Sequence, residues 1–547
     1  MNLNKLLTAL RQHKNTPAPN QQAGRHERYT HALEQFLDGH QPAVRLGGAY
    51  ALANLADEWL TDASLPEQVR REEAQGIVDA LTECIRAPYP LAQNRQILEA
   101  DEAPEGYEGD FTRDQEALRE EQLVRRTVFM EFSRRLAAAE SNKTDNEENQ
   151  HAVPPISPMW ADLRFDFGGA PIFYPLRQLH FQNADFASAT FYGPADFFGA
   201  TFHGDTSFSA AQFTADASFH SANFTDWVGF SAAHFAGAAE FSGARFADAA
   251  SFATVTFTGE ADFSDAVFSA AADFAVSAFK SDANFSRLNT AGITSFAAVT
   301  FDGKAVFTAS TFRDEAHFAA SVFNRPAVFS KSLFGGVARF AGVVTKQSEM
   351  FSNVRFASAA DFSGASFTQY EDFGGASFTQ AANFSGASFI ALPRTSYEMD
   401  FPQYANFGNA AFAQDADFSK ARFTACVGFG GVTFARAVSF NGASFEGAYF
   451  ANATFGHGAD FRQTRFTYAE PSFGGSEGQH KRARFSAQAD PRDYLFETRP
   501  ESPHGFSCGE AQLLNRTFVL PLGTVLYDPD SWDEEKQDYT RVSEPAQ

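Results

Sequence analysis

The sequence predicts a mainly β protein, a solenoid of short strands with a small α-helical domain ahead of it. Phenylalanine accounts for 63 of the 547 residues. Between Phe181 and Phe473 it returns at alternating spacings of five and six residues, so the full period is eleven. Gly and Ser recur between the Phe positions, which disfavours a helix there. Apolar residues three and four apart, typical of helices, occur in the first part of the chain.

Residues 1–138 are predicted to form the helical module. Residues 27–87 carry apolar side chains at helical spacing, and a third helix is predicted from about Leu118 to Ala138. The small residues Gly47 and Gly48 would let a neighbouring helix approach closely. A helical hairpin that packs on itself is the simplest interpretation. Residues 139–158 are charged and end in proline, as expected of a linker.

The Phe rhythm of the next region fits neither a continuous helix nor a continuous strand. Five helical steps of about 100° would place successive Phe roughly 140° apart, so no apolar stripe would form. In a strand, a step of five would send alternate Phe to opposite faces. A bend between successive Phe removes the conflict, because each short segment then contributes one inward Phe.

The residues just before each Phe agree with short strands. The position two before Phe shares its face and is usually small, whereas the position directly before Phe is often polar and should face water. Small examples are Ala195, Ala200, Ala211, Ala239, Ala261 and Ala360, and polar examples are Asp196, Asp262, Asp273, Asn284, Asp361 and Asn383.

Segments such as Ala184-Asp-Phe-Ala-Ser188 and Ala381-Ala-Asn-Phe-Ser385 resemble the pentapeptide-repeat family, in a Phe-centred form with alternating spacings of five and six that is frequent in actinobacteria. The resemblance implies a right-handed quadrilateral β-helix over residues 159–480, with about 22 residues per coil. Residues 42–56 look like the N-terminal module that accompanies many actinobacterial members, and faintly like one HEAT unit.

Coil geometry sets the expected scale of this region. Roughly 13 coils stacked about 4.8 Å apart would extend about 60 Å, with Phe stacked over Phe inside. The open ends need covers, since an exposed coil presents unpaired backbone groups and would allow a homodimer through a solenoid end. Residues 481–547 are predicted to supply a C-terminal cap around Leu513 to Leu526 and then a solvated acidic tail.

The repeat has three kinds of fault. Thr290 and Thr345 occupy Phe slots without shifting the phase, so they are substitutions. Phe389 and Phe401 are twelve apart, which predicts one extra residue and a small loop around Arg394. Three successive spacings of five between residues 440 and 455 imply one missing residue. A loop leaving a regular solenoid is a candidate contact site.

The sequence offers little chemistry. No HExxH, CxxC, GxSxG or Walker-type motif occurs, and the 13 His are scattered, so neither a cofactor nor a metal is predicted. Related proteins often carry two transmembrane helices, but this sequence has no apolar run of about 20 residues and no signal peptide. Three dispersed cysteines suggest no disulfide framework. A cytoplasmic protein without a membrane span is expected.

The net charge of −24 raises the hypothesis of DNA mimicry, because some pentapeptide-repeat proteins imitate duplex DNA and bind type II topoisomerases. A ladder of residues one coil apart carries the acidity: Asp196, Ser218, Glu240, Asp262 and Asn284. However, residues 181–473 carry a net charge of only about −10. Duplex DNA of about 60 Å would carry on the order of 35 negative charges.

Three classes of function follow. The first is a non-enzymatic scaffold that binds an unknown protein partner, with Asp196, Glu240, Asp262, Arg394 and Arg45 as candidate interaction residues. The second is modulation of a type II topoisomerase such as gyrase by DNA mimicry. The third is an enzyme whose site assembles from distant residues, which a Phe-filled interior disfavours. Direct nucleic-acid binding is not expected, since no basic stripe is apparent.

Overall fold

The computed structural model describes residues 20–38, 41–137, 159–347, 349–390, 403–474 and 482–547. The chain divides into two compact units, Met1–Ala261 and Asp262–Gln547. Its β-strands form a parallel solenoid of about 13 turns with ~22 residues per coil, preceded by a small helical region. The predicted fold class is thereby confirmed.

The helical region of the first unit contains five described α-helices. They are α1 Asn20–Phe36, α2 Pro42–Thr61, α3 Glu67–Arg86, α4 Arg95–Leu98 and α5 Phe111–Ala137, with a 3-10 helix at Pro90–Asn94. The predicted third helix therefore begins earlier, at Phe111. Close packing at Gly48 is confirmed, because a Cβ atom there would lie 2.7 Å from the backbone oxygen of Ala32 in α1. A Cβ at Gly47 would meet no atom within 4 Å.

The strands of the first unit are mostly two residues long. In chain order β1 to β18 are Phe165–Asp166, Pro171–Ile172, His180–Gln182, Ala184–Asp185, Thr190–Phe191, Ala195–Asp196, Thr201–His203, Thr206–Ser207, Gln212–Phe213, Ala217–Ser218, Asn223–Phe224, Val228–Gly229, His234–Phe235, Ala239–Glu240, Arg245–Phe246, Ala250–Ser251, Thr256–Phe257 and Ala261–Asp262.

The second unit continues the same pattern of short strands. In chain order β19 to β51 are Val267–Phe268, Ala272–Asp273, Ala278–Phe279, Ala283–Asn284, Asn289–Thr290, Thr294–Ser295, Thr300–Phe301, Ala305–Val306, Thr311–Phe312, Ala316–His317, Val322–Phe323, Ala327–Val328, Leu333–Phe334, Ala338–Arg339, Val344–Thr345, Glu349–Met350, Arg355–Phe356, Ala360–Asp361, Ser366–Thr368, Glu371–Asp372, Ser377–Phe378, Ala382–Asn383, Ser388–Ile390, Gln403–Asn406, Ala411–Phe412, Ala416–Asp417, Arg422–Gly428, Thr433–Phe434, Val438–Ser439, Ser444–Tyr449, Thr454–Phe455, Ala459–Asp460 and Arg465–Phe466.

Helix α5 covers the first coil of the β-helix. The Phe129 ring lies 4.6 Å, centroid to centroid, from Phe167, and the Phe132 ring lies 5.0 Å from Phe165. Helix α3 adds a hydrogen bond from Arg86 to the carboxylate of Asp166 at 2.7 Å. The helical region thus supplies the cover that an open coil requires.

Each strand pairs in parallel with the strand one coil later. In the first unit Ala217 pairs with Ala239 and Phe224 with Phe246, a register of 22 residues. A left-handed residue bends the chain two positions after every second Phe. The left-handed residues that are not glycine recur at multiples of eleven positions: Ala210, Ser221, Ala232, Thr254, Asp265, Val276, Arg287, Ala298, Ala309, Ala320, Lys331 and Asn353. These bends confirm the predicted turn between Phe positions.

Stacked phenylalanine rings fill the interior of both units. The Phe213 and Phe235 rings stack 4.4 Å apart in the first unit, and the Phe307 and Phe329 rings stack 4.7 Å apart in the second. The alanine two residues before Phe is buried as predicted, with Ala211 0% exposed. Ring stacking and burial together hold each coil on the next.

The repeat faults appear in the strand register of the second unit. Thr290 lies between Phe268 and Phe312 in one column, so it is a substitution as predicted. The missing residue is also confirmed, because Phe434 and Phe455 pair at a spacing of 21.

The prediction of one extra residue near position 390 is wrong. Phe389 pairs with Phe423, 34 residues later rather than 22, so this coil is twelve residues longer than the others. Phe401 matched the repeat spacing only by coincidence, and the inserted residues with Arg394 lie outside the described part of the chain.

The C-terminal residues extend and close the second unit. Strands β52 Arg484–Ser486, β53 Tyr494–Leu495 and β56 Val525–Tyr527 join the parallel sheets, while β54 Cys508–Leu513 and β55 Arg516–Pro521 form an antiparallel hairpin. The acidic segment folds too, through β57 Trp532–Asp533 paired with β58 Asp538–Tyr539, and is therefore not a fully solvated tail.

Candidate interaction surface

The outward position before each Phe forms a ladder on the coils. In the first unit Asp196, Ser218 and Glu240 occupy successive coils in register. In the second unit Asp262 begins the corresponding series, and Asn284 lies one coil later, with its side-chain amide 3.1 Å from the carboxylate of Asp262. We call these five residues the acidic ladder. The alignment of carboxylates with polar spacers matches the sequence expectation.

Backbone hydrogen bonds explain why aspartate precedes phenylalanine. The carboxylate of Asp196 accepts from the backbone N–H of Phe198 at 3.0 Å, and that of Asp262 accepts from Ser264 at 2.9 Å. The same contact, from side-chain oxygen to the N–H two residues later, is made by Asp166, Asp185, Asp273, Asn284, Asp361, Asp372, Asn383, Asn406, Asp417 and Asp460. These carboxylates shape the turn as well as the surface charge.

Neighbouring side chains further engage the acidic ladder. Arg177 donates to Asp196 at 2.8 Å, and the Ser218 hydroxyl donates to Glu240 at 2.8 Å. Glu240 is exposed, whereas Asp196 and Asp262 are half-buried. A partner would therefore meet Glu240 most directly, beside carboxylates that are already hydrogen-bonded.

Arg45 is placed differently, inside the helical region. Its guanidinium donates to Glu121 of α5 at 2.5 Å, and Arg125 donates to the same carboxylate at 2.6 Å. Burial opposes the charge of Glu121, but the hydrogen bond from Arg45 and the charge of Arg125 outweigh it and hold the pKa of Glu121 below its usual range. The structure thus gives Arg45 a role in joining α2 to α5.

Ionic and membrane features were also compared with expectation. Within the described residues, no group of three or more His, Cys, Asp or Glu side chains is arranged to hold a metal ion. Among the described helices, none is long and apolar enough to cross a membrane. The cysteines Cys84, Cys426 and Cys508 are free.

A basic cluster was missed by sequence reasoning. Lys420, Arg422, Arg465 and Arg499 line one groove in the second unit. They are scattered over 80 positions of an acidic chain, so composition conceals them. The available signal was that Arg422 and Arg465 both directly precede a Phe, close to the repeat faults.

The family model described as pentapeptide repeats (9 copies) matches residues 186–234 and 418–465. These two segments lie in the first and second units respectively. No curated protein and no solved structure matches the chain.

Proposed function

Since the β-helix of this chain is built of pentapeptide repeats, we propose that the protein is a non-enzymatic scaffold that binds a protein partner on the outer faces of its coils. The observation that carries the proposal is the interior, where stacked Phe rings occupy the space between the strands. Polar side chains instead lie in register on the outside, where a partner can reach them.

The proposed contact residues are Asp196, Glu240 and Asp262. Rows of side chains at a fixed coil spacing present the same chemistry repeatedly, which suits recognition by an extended or repetitive partner surface. Electrostatic complementarity would select a basic partner and raise its association rate. Arg394, the fourth proposed contact, belongs to the inserted residues of the second unit. Arg45 remains the fifth proposed residue, although its contact with Glu121 favours an indirect role.

The test is partner capture by the full chain and by a variant with a neutralised ladder. Asp196→Asn, Glu240→Gln and Asp262→Asn remove three charges but keep side-chain oxygens that can accept the turn hydrogen bonds. The matched control, Asp205→Asn, Glu260→Gln and Glu470→Gln, removes three charges from exposed positions elsewhere. A full-length variant is preferable to truncation, because deleting α5 would uncover the first coil.

We expect a captured protein that the ladder variant loses and the control variant retains, with capture weakened by salt. Equal capture by both variants would remove the ladder from the binding surface. If neither the wild-type chain nor the control retains any protein, the scaffold proposal itself fails.

The acidic ladder also supports DNA mimicry as a second candidate. Two observations weigh against it: the ladder carboxylates accept turn hydrogen bonds, and Ser218 and Asn284 interrupt the charge. A gyrase supercoiling assay separates the candidates. Inhibition by the wild-type chain that disappears in the ladder variant would favour mimicry over the scaffold.

A further inference from the structure

We propose that the basic groove of the second unit binds a compact small molecule carrying two or more phosphoryl groups. The groove has a volume of about 530 Å³ and is lined by Lys420, Arg422, Arg465 and Arg499 together with Ser444 and Glu446. This inference goes beyond the scaffold function and does not depend on it, since the groove and the acidic ladder share no residue.

The repeat itself brings two of the arginines together. Arg422 begins β45, Ser444 begins β48 and Arg465 begins β51, and the three pair in register. Each directly precedes an inward Phe, so its side chain lies on the outer face. Arg422 and Arg465 are two coils apart, which separates their backbones by about 10 Å. The Ser444 hydroxyl lies on the coil between them.

The repeat faults shape this part of the surface. Strands β45 and β48 have seven and six residues, whereas most strands have two, and their register shifts between Phe423 and Cys426. The longer strands follow the coil with the twelve-residue insertion and precede the coil that lacks one residue. The irregular repeats therefore produce a local surface that the regular coils do not have.

Arg499 reaches the groove from the C-terminal segment and is held in place by backbone. Its guanidinium donates to the carbonyl oxygens of Gln463 and Gly442, both at 2.8 Å. Gly442 leaves room between two cations, because a Cβ there would lie 3.6 Å from Lys420 Cγ and 3.7 Å from an Arg499 terminal nitrogen. A positioned guanidinium with further free N–H groups is preorganised for an anion.

The cations of the groove lack anionic partners within the described residues. Lys420, Arg422 and Arg465 make no ion pair there, although arginines elsewhere in the unit do, such as Arg287 with Asp265 at 2.6 Å. Glu446 is the acidic side chain among the groove residues, and it too forms no ion pair with a described residue. Four neighbouring cations repel one another, so a bound anion would relieve that repulsion.

The chemistry of the groove points to phosphoryl groups on a compact ligand. Three of the four cations are arginines, whose planar fork binds phosphate oxygens through two parallel hydrogen bonds. Cations on two coils about 10 Å apart require more than one anionic group. The groove volume lies in the range of small-molecule sites. A long polyanion would meet the negative charge of the surrounding chain.

The test is calorimetric titration of the full-length protein with sodium tripolyphosphate, pyrophosphate, phosphate and citrate. We expect affinity to fall in the order tripolyphosphate, pyrophosphate, phosphate, with citrate at least tenfold weaker than tripolyphosphate. Arg422→Ala with Arg465→Ala should lower tripolyphosphate affinity at least tenfold. Arg436→Ala, which removes an exposed arginine outside the groove, should leave it unchanged.

Two further variants sharpen the result. Gly442→Asp places a carboxylate between Lys420 and Arg499 in a left-handed conformation that Asp tolerates, and it should abolish binding. Glu446→Gln removes the opposing charge and should tighten binding. Circular dichroism confirms that each variant is folded.

Absence of tripolyphosphate binding, or equal binding by the wild-type chain and the Arg422→Ala, Arg465→Ala variant, would overturn the proposal. Equal affinity for citrate would show a general polyanion site rather than a phosphoryl site. Tighter binding of a short DNA duplex than of tripolyphosphate would identify a nucleic-acid backbone instead. Partner capture by the acidic ladder is unaffected by any of these outcomes, so the two proposals fail separately.

Discussion

Thr290 shows what one residue does inside a stack of phenylalanines. It stands between Phe268 and Phe312 in a single column and is fully buried. Its hydroxyl has no hydrogen-bond partner. Nearby Thr294 is equally buried, but its hydroxyl donates to the carbonyl oxygen of Gly292 at 3.3 Å. The two threonines therefore differ in whether burial of the hydroxyl is compensated.

Thr290→Val should stabilise the second unit by about 1–2 kcal/mol, because it replaces an unsatisfied buried hydroxyl with a methyl group of similar size. Thr294→Val is the matched control and should leave stability unchanged or lower it, since a hydrogen bond is lost. Thermal unfolding of the purified variants measures both effects. A decrease in the melting temperature of Thr290→Val would show that the hydroxyl contributes to stability.

Val276 illustrates strain at the bends. It adopts a left-handed conformation with φ of 61° while its side chain is 61% exposed, so little packing offsets the cost. Asn tolerates this conformation better than a β-branched residue, and Val276→Asn should stabilise the unit by about 1 kcal/mol. Val276→Thr keeps the β-branch and should show no gain. The comparison requires urea unfolding of the two variants, and equal midpoints would rule out strain as the cause.

At the scale of elements, helix α5 works as the cover of the first coil. One face carries Phe129 and Phe132 onto the rings of β-strand residues, whereas Leu123 on another face is 52% exposed. Buried ion pairs between α2 and α5 hold the cover together. The helices thus close a hydrophobic interior that a coil leaves open at its end.

Phe129→Ala should destabilise the first unit by about 3–5 kcal/mol, because it removes a buried ring from the covered end. The exposed end should also promote association between chains. Leu123→Ala, on the exposed face of the same helix, should change neither property. Chemical unfolding and gel filtration of both variants test the prediction, and an unaltered Phe129→Ala variant would mean that α5 is not the cover.

At the scale of the whole molecule, acidic residues dominate, with 67 Asp and Glu against 43 Lys and Arg. Arginine contacts stabilise carboxylates in each unit. Hydrogen bonding from Arg287 lowers the pKa of Asp265, while at Asp460 the contact with Arg462 outweighs burial and lowers its pKa. Glu121 in the first unit is also lowered. Each such group stabilises the folded chain while ionised.

The chain should therefore lose stability in acid. A carboxyl group with a lowered folded-state pKa contributes its full stabilisation above its ordinary value and loses that contribution as pH falls through the folded value. Glu121→Gln should cost about 3 kcal/mol at pH 7, and its deficit relative to the wild type should shrink below about pH 4.5.

Glu58→Gln is the surface control for this prediction. Glu58 also pairs with an arginine, Arg28 at 2.6 Å, but the pair is exposed and should contribute at most about 1 kcal/mol. Melting temperatures of the three proteins from pH 7 to pH 3 provide the measurement. A deficit of Glu121→Gln that stays constant across this range would contradict the linkage.

Residue periodicity was sufficient to predict much of this structure. Phe spacing and the small residues before Phe predicted inward rings and bends, and the phase at Thr290 predicted a substitution. The twelve-residue insertion escaped because Phe401 falls near the repeat spacing, and spacing alone cannot tell a repeat Phe from an inserted one. The early start of α5 escaped because its first turns carry few periodic apolar residues.

The sequence by itself determined the coil, because the repeat encodes contacts between residues a constant 22 positions apart, and one inward Phe per segment is enough to impose them. Only the tertiary structure decided that α5 covers the first coil and that Arg45 binds Glu121. It also brought Arg499 to Arg422 and Arg465 in one groove. Such contacts join segments with no shared period, so their partners depend on how the chain closes in space.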